Sequence, residues 1–267
     1  MRRIRATFVR NWIVVRRAYP WSFLVGNLLS GLYTVVVAYF TYHVLAGGEL
    51  GSEFAAYAGT GDYISYVILG AGVYLFAARI MLGVSRSLIT ERREGTLESL
   101  LLAPAGRLGY FAAVTAQWAL ACAGEMGVML LLAWPLGLNL GRINLSALAL
   151  AFPVTLVGLF GMSLVLGAVM LATGDTYLSQ NTLFAFMALV SGFTFPPAYL
   201  PRWLQWAGAA LPVTGGLRLL REAVLQGRPV AAISRDLIVY TLLGLAYAAI
   251  GLGLMRTAER RALEGMV

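Results

Sequence analysis

An all-α membrane protein with six transmembrane helices is the fold class that this sequence predicts, and three observations predict it. Only 12% of the 267 residues are charged and 60% are hydrophobic, for a mean hydropathy of +0.77. A soluble domain carries about a quarter charged residues. A chain this poor in charge cannot cover a globular surface, so lipid must serve as its solvent. Six apolar blocks each reach the ~20 residues that a helix needs to cross a bilayer. The short alternating segments of a β-barrel are absent. Helices satisfy their backbone polar groups within one segment, as lipid requires. Residues 1–267 therefore read as one transmembrane domain.

Residues 1–20 read as an interfacial helix. Ile4, Phe8, Trp12, Val15 and Tyr19 cluster on one face, while Arg3, Arg10 and Arg17 repeat every seven residues on another. Val9 and Ile13 interrupt the polar face, and Pro20 separates the arm from the first span, Trp21–Ala46. That block exceeds the ~7–15 apolar residues of a signal-peptide core, which predicts a retained span. A loop with Glu49, Glu53 and Asp62 leads to the second span, Tyr63–Leu88. A charged segment, 89–104, follows. Spans three and four run over Tyr110–Leu136 and Leu145–Ala172. Asp175 is placed to cap the fifth, Tyr177–Phe195. Residues 196–235 are too broken by Pro196, Pro197, Pro201, Pro212 and Pro229 for a span. They are too apolar around Leu200 and Trp206 for a free loop. They predict short re-entrant or interfacial helices on the outer face, with Trp203 and Trp206 at headgroup depth. Leu237–Met255 is the sixth span.

The formal net charge is +8, and all 20 basic residues are arginine. In a membrane chain such residues set topology and meet anionic lipid, so no nucleic-acid partner is expected. Thirteen arginines fall on the side of the N-terminal arm, the 86–107 loop and the C-terminal tail, against six on the other side. By the positive-inside rule both termini and the 86–107 loop are cytosolic. The loop with Glu49, Glu53 and Asp62 then faces outward.

Missing residues exclude chemistry. Without lysine there is no Walker A loop, so the chain is not an ATPase of that type. The one cysteine, Cys122, allows no internal disulfide and sits in an apolar run. The one histidine, His43, rules out paired-histidine zinc motifs. No catalytic site and no metal site are expected. Arg79 and Glu125 fall inside spans, where lipid exposure costs about 2.5–3.5 kcal/mol on insertion scales. They are expected to face protein, paired with each other or serving transport.

The 89–104 segment is the most informative. Glu91, Glu94 and Glu98 fall at i, i+3 and i+7; Leu97, Leu100 and Leu101 at i, i+3 and i+4. The pattern predicts an amphipathic helix parallel to the membrane, its charged face toward the cytosol. Gly95 permits a sharp backbone change at its start, and Pro104 stops it.

This segment, with its Glu91-Arg92 … Gly95-Thr96-Leu97-Glu98 … Leu100-Leu101 … Pro104 pattern, resembles the first cytosolic loop of type-2 ATP-binding-cassette (ABC) transporter permeases. A second stretch is similar to the family's exit from the fifth span: Gly192-Phe193-Thr194-Phe195-Pro196, Leu200-Pro201 and Pro212-Val213-Thr214. The family usually has an aromatic after that threonine, where Gly215-Gly216 stand here. The resemblance implies a permease pairing with a second permease subunit, as a homo- or heterodimer, and with two cytosolic ATPase subunits that hold ATP and Mg. It implies ATPase contact by Glu91, Glu94, Gly95, Thr96, Leu97, Glu98 and Leu101. It implies a prokaryotic plasma-membrane exporter of drug-like, antibiotic or amphipathic lipid substrates. Phe195, Pro196, Trp203, Trp206 and Pro212 are expected to build an outer gate. Alternatives are export of a lipid-linked polysaccharide, a non-transporting anchor or sensor, and an intramembrane enzyme, for which only Glu125 and Asp175 offer acids.

Overall fold

The computed structural model describes residues 9, 13, 22–45, 47, 52–95, 107–173 and 175–264. Every regular element among them is helical. In order these are α1 (Ser22–Phe40, continued by a π turn Thr41–Leu45), α2 (Ser52–Ala58), α3 (Tyr63–Ser85), α4 (Ser87–Arg93) and α5 (Arg107–Ala133). Then follow α6 (Leu145–Thr173), α7 (Thr176–Val190), α8 (Arg202–Ala209), α9 (Pro212–Val224) and α10 (Val230–Glu264). The 1–20 arm lies outside the described residues except for Val9 and Ile13. Both are helical, and they are 44% and 45% exposed.

Four helical stretches among the described residues are long and apolar enough to cross a bilayer: Tyr63–Ser85, Leu108–Leu136, Leu145–Thr173 and Val230–Thr257. α7 falls short. Its 15 residues rise about 22 Å at 1.5 Å each, below the ~30 Å hydrocarbon core. The predicted fifth span ran on to Phe195. Gly192, at φ +73°, turns the backbone out of the helix first. The helix that carries the predicted sixth span, α10, starts at Val230 rather than Leu237. Sequence reading left Arg235 and Asp236 in the loop, but Asp236 meets Arg218 at 3.2 Å and so sits within a helix at little cost.

The long helices alternate in direction between two ends of the bundle. At one end lie α4, the α6–α7 turn and the last part of α10. Tyr110 at the start of α5 meets Glu91 of α4 there, and Arg86 meets Gln180 of α7. At the other end lie α2, α8, α9 and the α5–α6 link. Asn139 N donates to Ser65 Oγ at 2.8 Å, and Asn144 N donates to the Ala223 carbonyl at 2.9 Å. Helix starts are marked by sequence. Asp62 caps α3, accepting from Ser65 N at 2.9 Å, and Asp175 caps α7, accepting from Tyr177 N and Leu178 N.

α6 is the central helix. It packs along α10 and also meets α9 and α3. Its Leu159, Leu164 and Met170 are fully buried. The α6–α10 contact is close because glycine lines both sides. A Cβ on Gly161 would stand 2.6 Å from the Gly244 carbonyl and 2.7 Å from Ala248 N; one on Gly251 would stand 2.6 Å from Leu164 Cβ. Gly244, Ala248 and Gly251 recur at helical spacing on one face, the small-residue seam by which membrane helices approach. The opposite face of α10 exposes Ile238, Leu242, Leu245, Ile250 and Leu254, which suits lipid.

Candidate functional site

Three places gather the chemistry that the sequence singles out. The first is the loop after α3. Arg86 ends that helix, its Nη2 donating to Gln180 Oε1 and its guanidinium 5.3 Å from the Tyr177 ring centre. α4 follows and stops at Glu94, whose N–H donates to the Thr90 carbonyl at 2.9 Å. Gly95, at φ +71°, then turns the chain in the left-handed region that glycine favours. Glu94 and Gly95 are exposed. Thr96, Leu97, Glu98 and Leu101 lie outside the described residues.

Glu91 needs correction as part of a cytosolic face. The i, i+3, i+7 count assumed one continuous helix from Glu91 to Glu98, and Gly95 breaks it. Glu91 belongs to α4 instead. It is 3% exposed and accepts from Tyr110 Oη at 3.1 Å. Its carboxylate faces the protein's own α5, and a charged hydrogen bond this buried anchors the loop.

The second place lies between α3 and α5. Arg79 and Glu125, both half-buried, line one cavity of about 30 Å³ with Cys122, Phe76, Met126 and Met129. The sequence expected both charges to face protein, and the structure brings them to one site. Neutralising either, as Arg79→Met or Glu125→Gln, is expected to cost about 1–3 kcal/mol. Coupling makes the double variant milder than the sum, read as a double-mutant cycle on thermal stability in detergent. Strict additivity removes any direct link.

The third place is the end formed by α2, α8 and α9. Here Pro196 and Pro212 are buried, Phe195 is half-buried, and Trp203 and Trp206 are 67% and 76% exposed. Pro212 opens α9 and lies against α6, where a Cβ on Gly158 would come within 2.8 Å of it. Eleven residues of α9 are buried, Arg221 and Glu222 included, so this helix is core rather than surface.

Arg221 is the residue that sequence reasoning missed. It is 6% exposed. Its Nη1 donates to the Gly192 carbonyl at 2.7 Å, and its Nη2 to those of Phe193 at 2.8 Å and Tyr66 at 3.1 Å. The Tyr66 ring lies against the guanidinium, 3.5 Å from its centre. One side chain therefore joins α9, α3 and the exit of α7. Gly70 makes room, since a Cβ there would strike the Phe193 carbonyl and Arg221 Nη2. Burial pulls the Arg221 pKa down to about 10, which leaves it charged at neutral pH. A signal existed in the sequence: Arg221 shares a helical face with Leu217, Leu220 and Val224, an apolar stripe where a charge is out of place.

The ABC-2 type transporter family matches residues 2–225, which span α1 to α9 and all three places. The chain belongs to that family. It is thus a multi-pass ABC transporter permease that works with ABC ATPase subunits. No curated protein matches it. An ABC-2 permease domain is a transport component, and this chain, without lysine, has no Walker A loop of its own. The α10 helix lies beyond the matched segment.

Proposed function

We propose that this permease is the membrane half of an ATP-driven exporter, moving a drug-like, antibiotic or amphipathic lipid substrate out of a prokaryotic cell. Two copies pair in the plasma membrane with two ATPase subunits, which hold ATP and Mg. α1 and α7 complete six spans, the short α7 by local thinning of the bilayer, and both termini and the α4 end face the cytosol. The observation that supports this is the loop after α3. Glu91 fixes α4 to α5, Gly95 ends that helix in the left-handed region, and the Thr96-Leu97-Glu98 motif follows in the sequence. A segment tied to the spans through Glu91 and Tyr110 is placed to pass an ATPase movement on to them. Glu94, Thr96, Leu97, Glu98 and Leu101 make that contact.

Leu97→Asp is the test. A charge placed in an apolar contact leaves an unpaired group to desolvate, and retention of the ATPase on the tagged permease is expected to fall by about tenfold or more. Membrane insertion stays intact. Undiminished retention with undiminished ATP-dependent efflux from cells sinks the coupling role.

Pro197 to Leu211, with the Phe195 and Pro196 exit before it and Pro212 after it, forms an outer gate. Trp203 and Trp206 are the exposed tips that sit at headgroup depth. Cysteines at Leu200 and Leu204 are expected to react with an impermeant maleimide added outside, at a rate that changes when ATP is trapped. Reaction only from the cytosolic side reverses the topology, and a rate indifferent to nucleotide removes the gate.

A further inference from the structure

The end formed by α2, α8 and α9 encloses a cleft of about 510 Å³. Its lining has two characters. Tyr57, Val190, Ala209 and Leu217 give it an apolar side, while Ser191, Thr214, three arginines (218, 221 and 228) and one carboxylate, Glu222, give it polar groups with an excess of positive charge. Three of these residues carry buried polar atoms without a hydrogen-bond partner: Ser191 Oγ, Thr214 Oγ1 and Arg221 Nε. Buried polar atoms are nearly always paired, so three on one cleft call for an explanation.

The charges are unequal in their partners. Arg218 lies 3.1 Å from Glu222 and 3.2 Å from Asp236, and Arg228 lies 3.6 Å from Glu222. Arg221 meets only carbonyl oxygens and the Tyr66 ring. Glu222, its neighbour in the chain, is taken up by Arg218 and Arg228, so among the described residues Arg221 is a buried cation that forms no ion pair. Such a charge is costly unless an anion joins it.

We propose that the cleft binds an anionic amphiphile. Arg221 Nε and the Ser191 and Thr214 hydroxyls, buried from solvent in the unliganded chain, would turn toward the cleft to donate to its oxyanion head, and its tail would lie along Val190, Ala209 and Leu217. The head is phosphate-like or carboxylate-like, and the molecule comes from the membrane or from the exported substrate. The second source rests on the export function proposed above. Binding itself does not, because it needs no ATP and no partner.

The full chain is purified in neutral maltoside detergent and titrated with dihexanoyl phosphatidic acid, following thermal stability. Saturable stabilisation is expected. Dihexanoyl phosphatidylcholine, which hides the anion behind a cation, binds about tenfold or more weaker. The double variant Ser191→Ala, Thr214→Val removes two donors and leaves the carbonyl contacts of Arg221 untouched. It too is expected to lose about tenfold or more in affinity, with unliganded stability unchanged or raised. Equal binding of both lipids, wild-type affinity in the hydroxyl variant, or no saturable binding overturns the site. Stoichiometric phospholipid recovered with wild-type protein and lost in the variant names the membrane as source. Protein that is lipid-free yet binds the probe names the exported substrate. If export fails while the probe still binds, the function proposed above falls and the site stands.

Discussion

Replacing Arg221 by methionine is expected to unfold the α9 end of the permease. Methionine matches the length of the side chain but offers no donor. The Gly192 and Phe193 carbonyls lie beyond the last turn of α7, and among the described residues Arg221 is the donor they share. Each buried carbonyl left without a donor costs about 1–3 kcal/mol. The lost contact with the Tyr66 face adds about 0.5–2 kcal/mol. For the two carbonyls and the ring together the loss is about 2.5–8 kcal/mol, which reaches the range of the most damaging single substitutions. Arg221→Lys keeps the charge, but one ammonium cannot reach three acceptors in a planar fork, so it recovers part of the loss. The measurement is the midpoint of thermal aggregation in detergent, with wild type, lysine and methionine expected in that order. Equal midpoints for all three would show that the carbonyls find other donors and that Arg221 holds nothing together.

The second large effect is expected at Gly161. A leucine there would drive a branched side chain into the Gly244 carbonyl, Ala248 N and Tyr247 Cβ, all within 2.6–2.8 Å of its first carbon. Overpacking a well-filled core costs about 1–3 kcal/mol, and more where backbone rather than a flexible side chain must yield. Gly161→Leu is therefore expected to abolish folded protein, and Gly161→Ala to weaken it. Gly253 on α10 supplies the control, since nothing lies within 4 Å of a Cβ built on it. Gly253→Ala is expected to be neutral, or to stabilise by about 0.4–1 kcal/mol through lost freedom of the unfolded chain. Size-exclusion profiles and folded yield separate these cases. Tolerance of leucine at Gly161 would mean that α6 and α10 do not approach as described.

The helices themselves were legible because apolar length and caps are local signals. Asp175 was read as a cap and caps α7, while Asp62, read only as part of the outward loop, caps α3. Gly95 was read as a break, but its effect on Glu91 was not. Helical spacing counts residues as though the helix ran on, and only the φ of Gly95 shows that it does not. The α7 and α10 boundaries were misplaced for a related reason. Hydropathy does not see that Gly192 turns left-handed, nor that Asp236 finds Arg218 across a loop. The Arg221 site was hidden because its partners are backbone carbonyls, 28 and 29 positions away in α7's exit and 155 away in α3. Carbonyls have no residue type, so no motif announces them. Arg79 and Glu125 were found because charge in an apolar run is conspicuous without any partner in view.

The seam between α6 and α10 also limits how the molecule can change shape. Helices cushioned by long side chains can shear, since rotamers absorb small shifts. Where backbone meets backbone there is no such layer, and a slide of a fraction of a turn brings carbonyl onto carbonyl. α6 and α10 therefore travel as one rod. Any motion that opens a route through the permease must pass through the looser joints around this pair, such as the half-buried contacts of α5 with α3. The stiffness of this spine comes from residues that have no side chain.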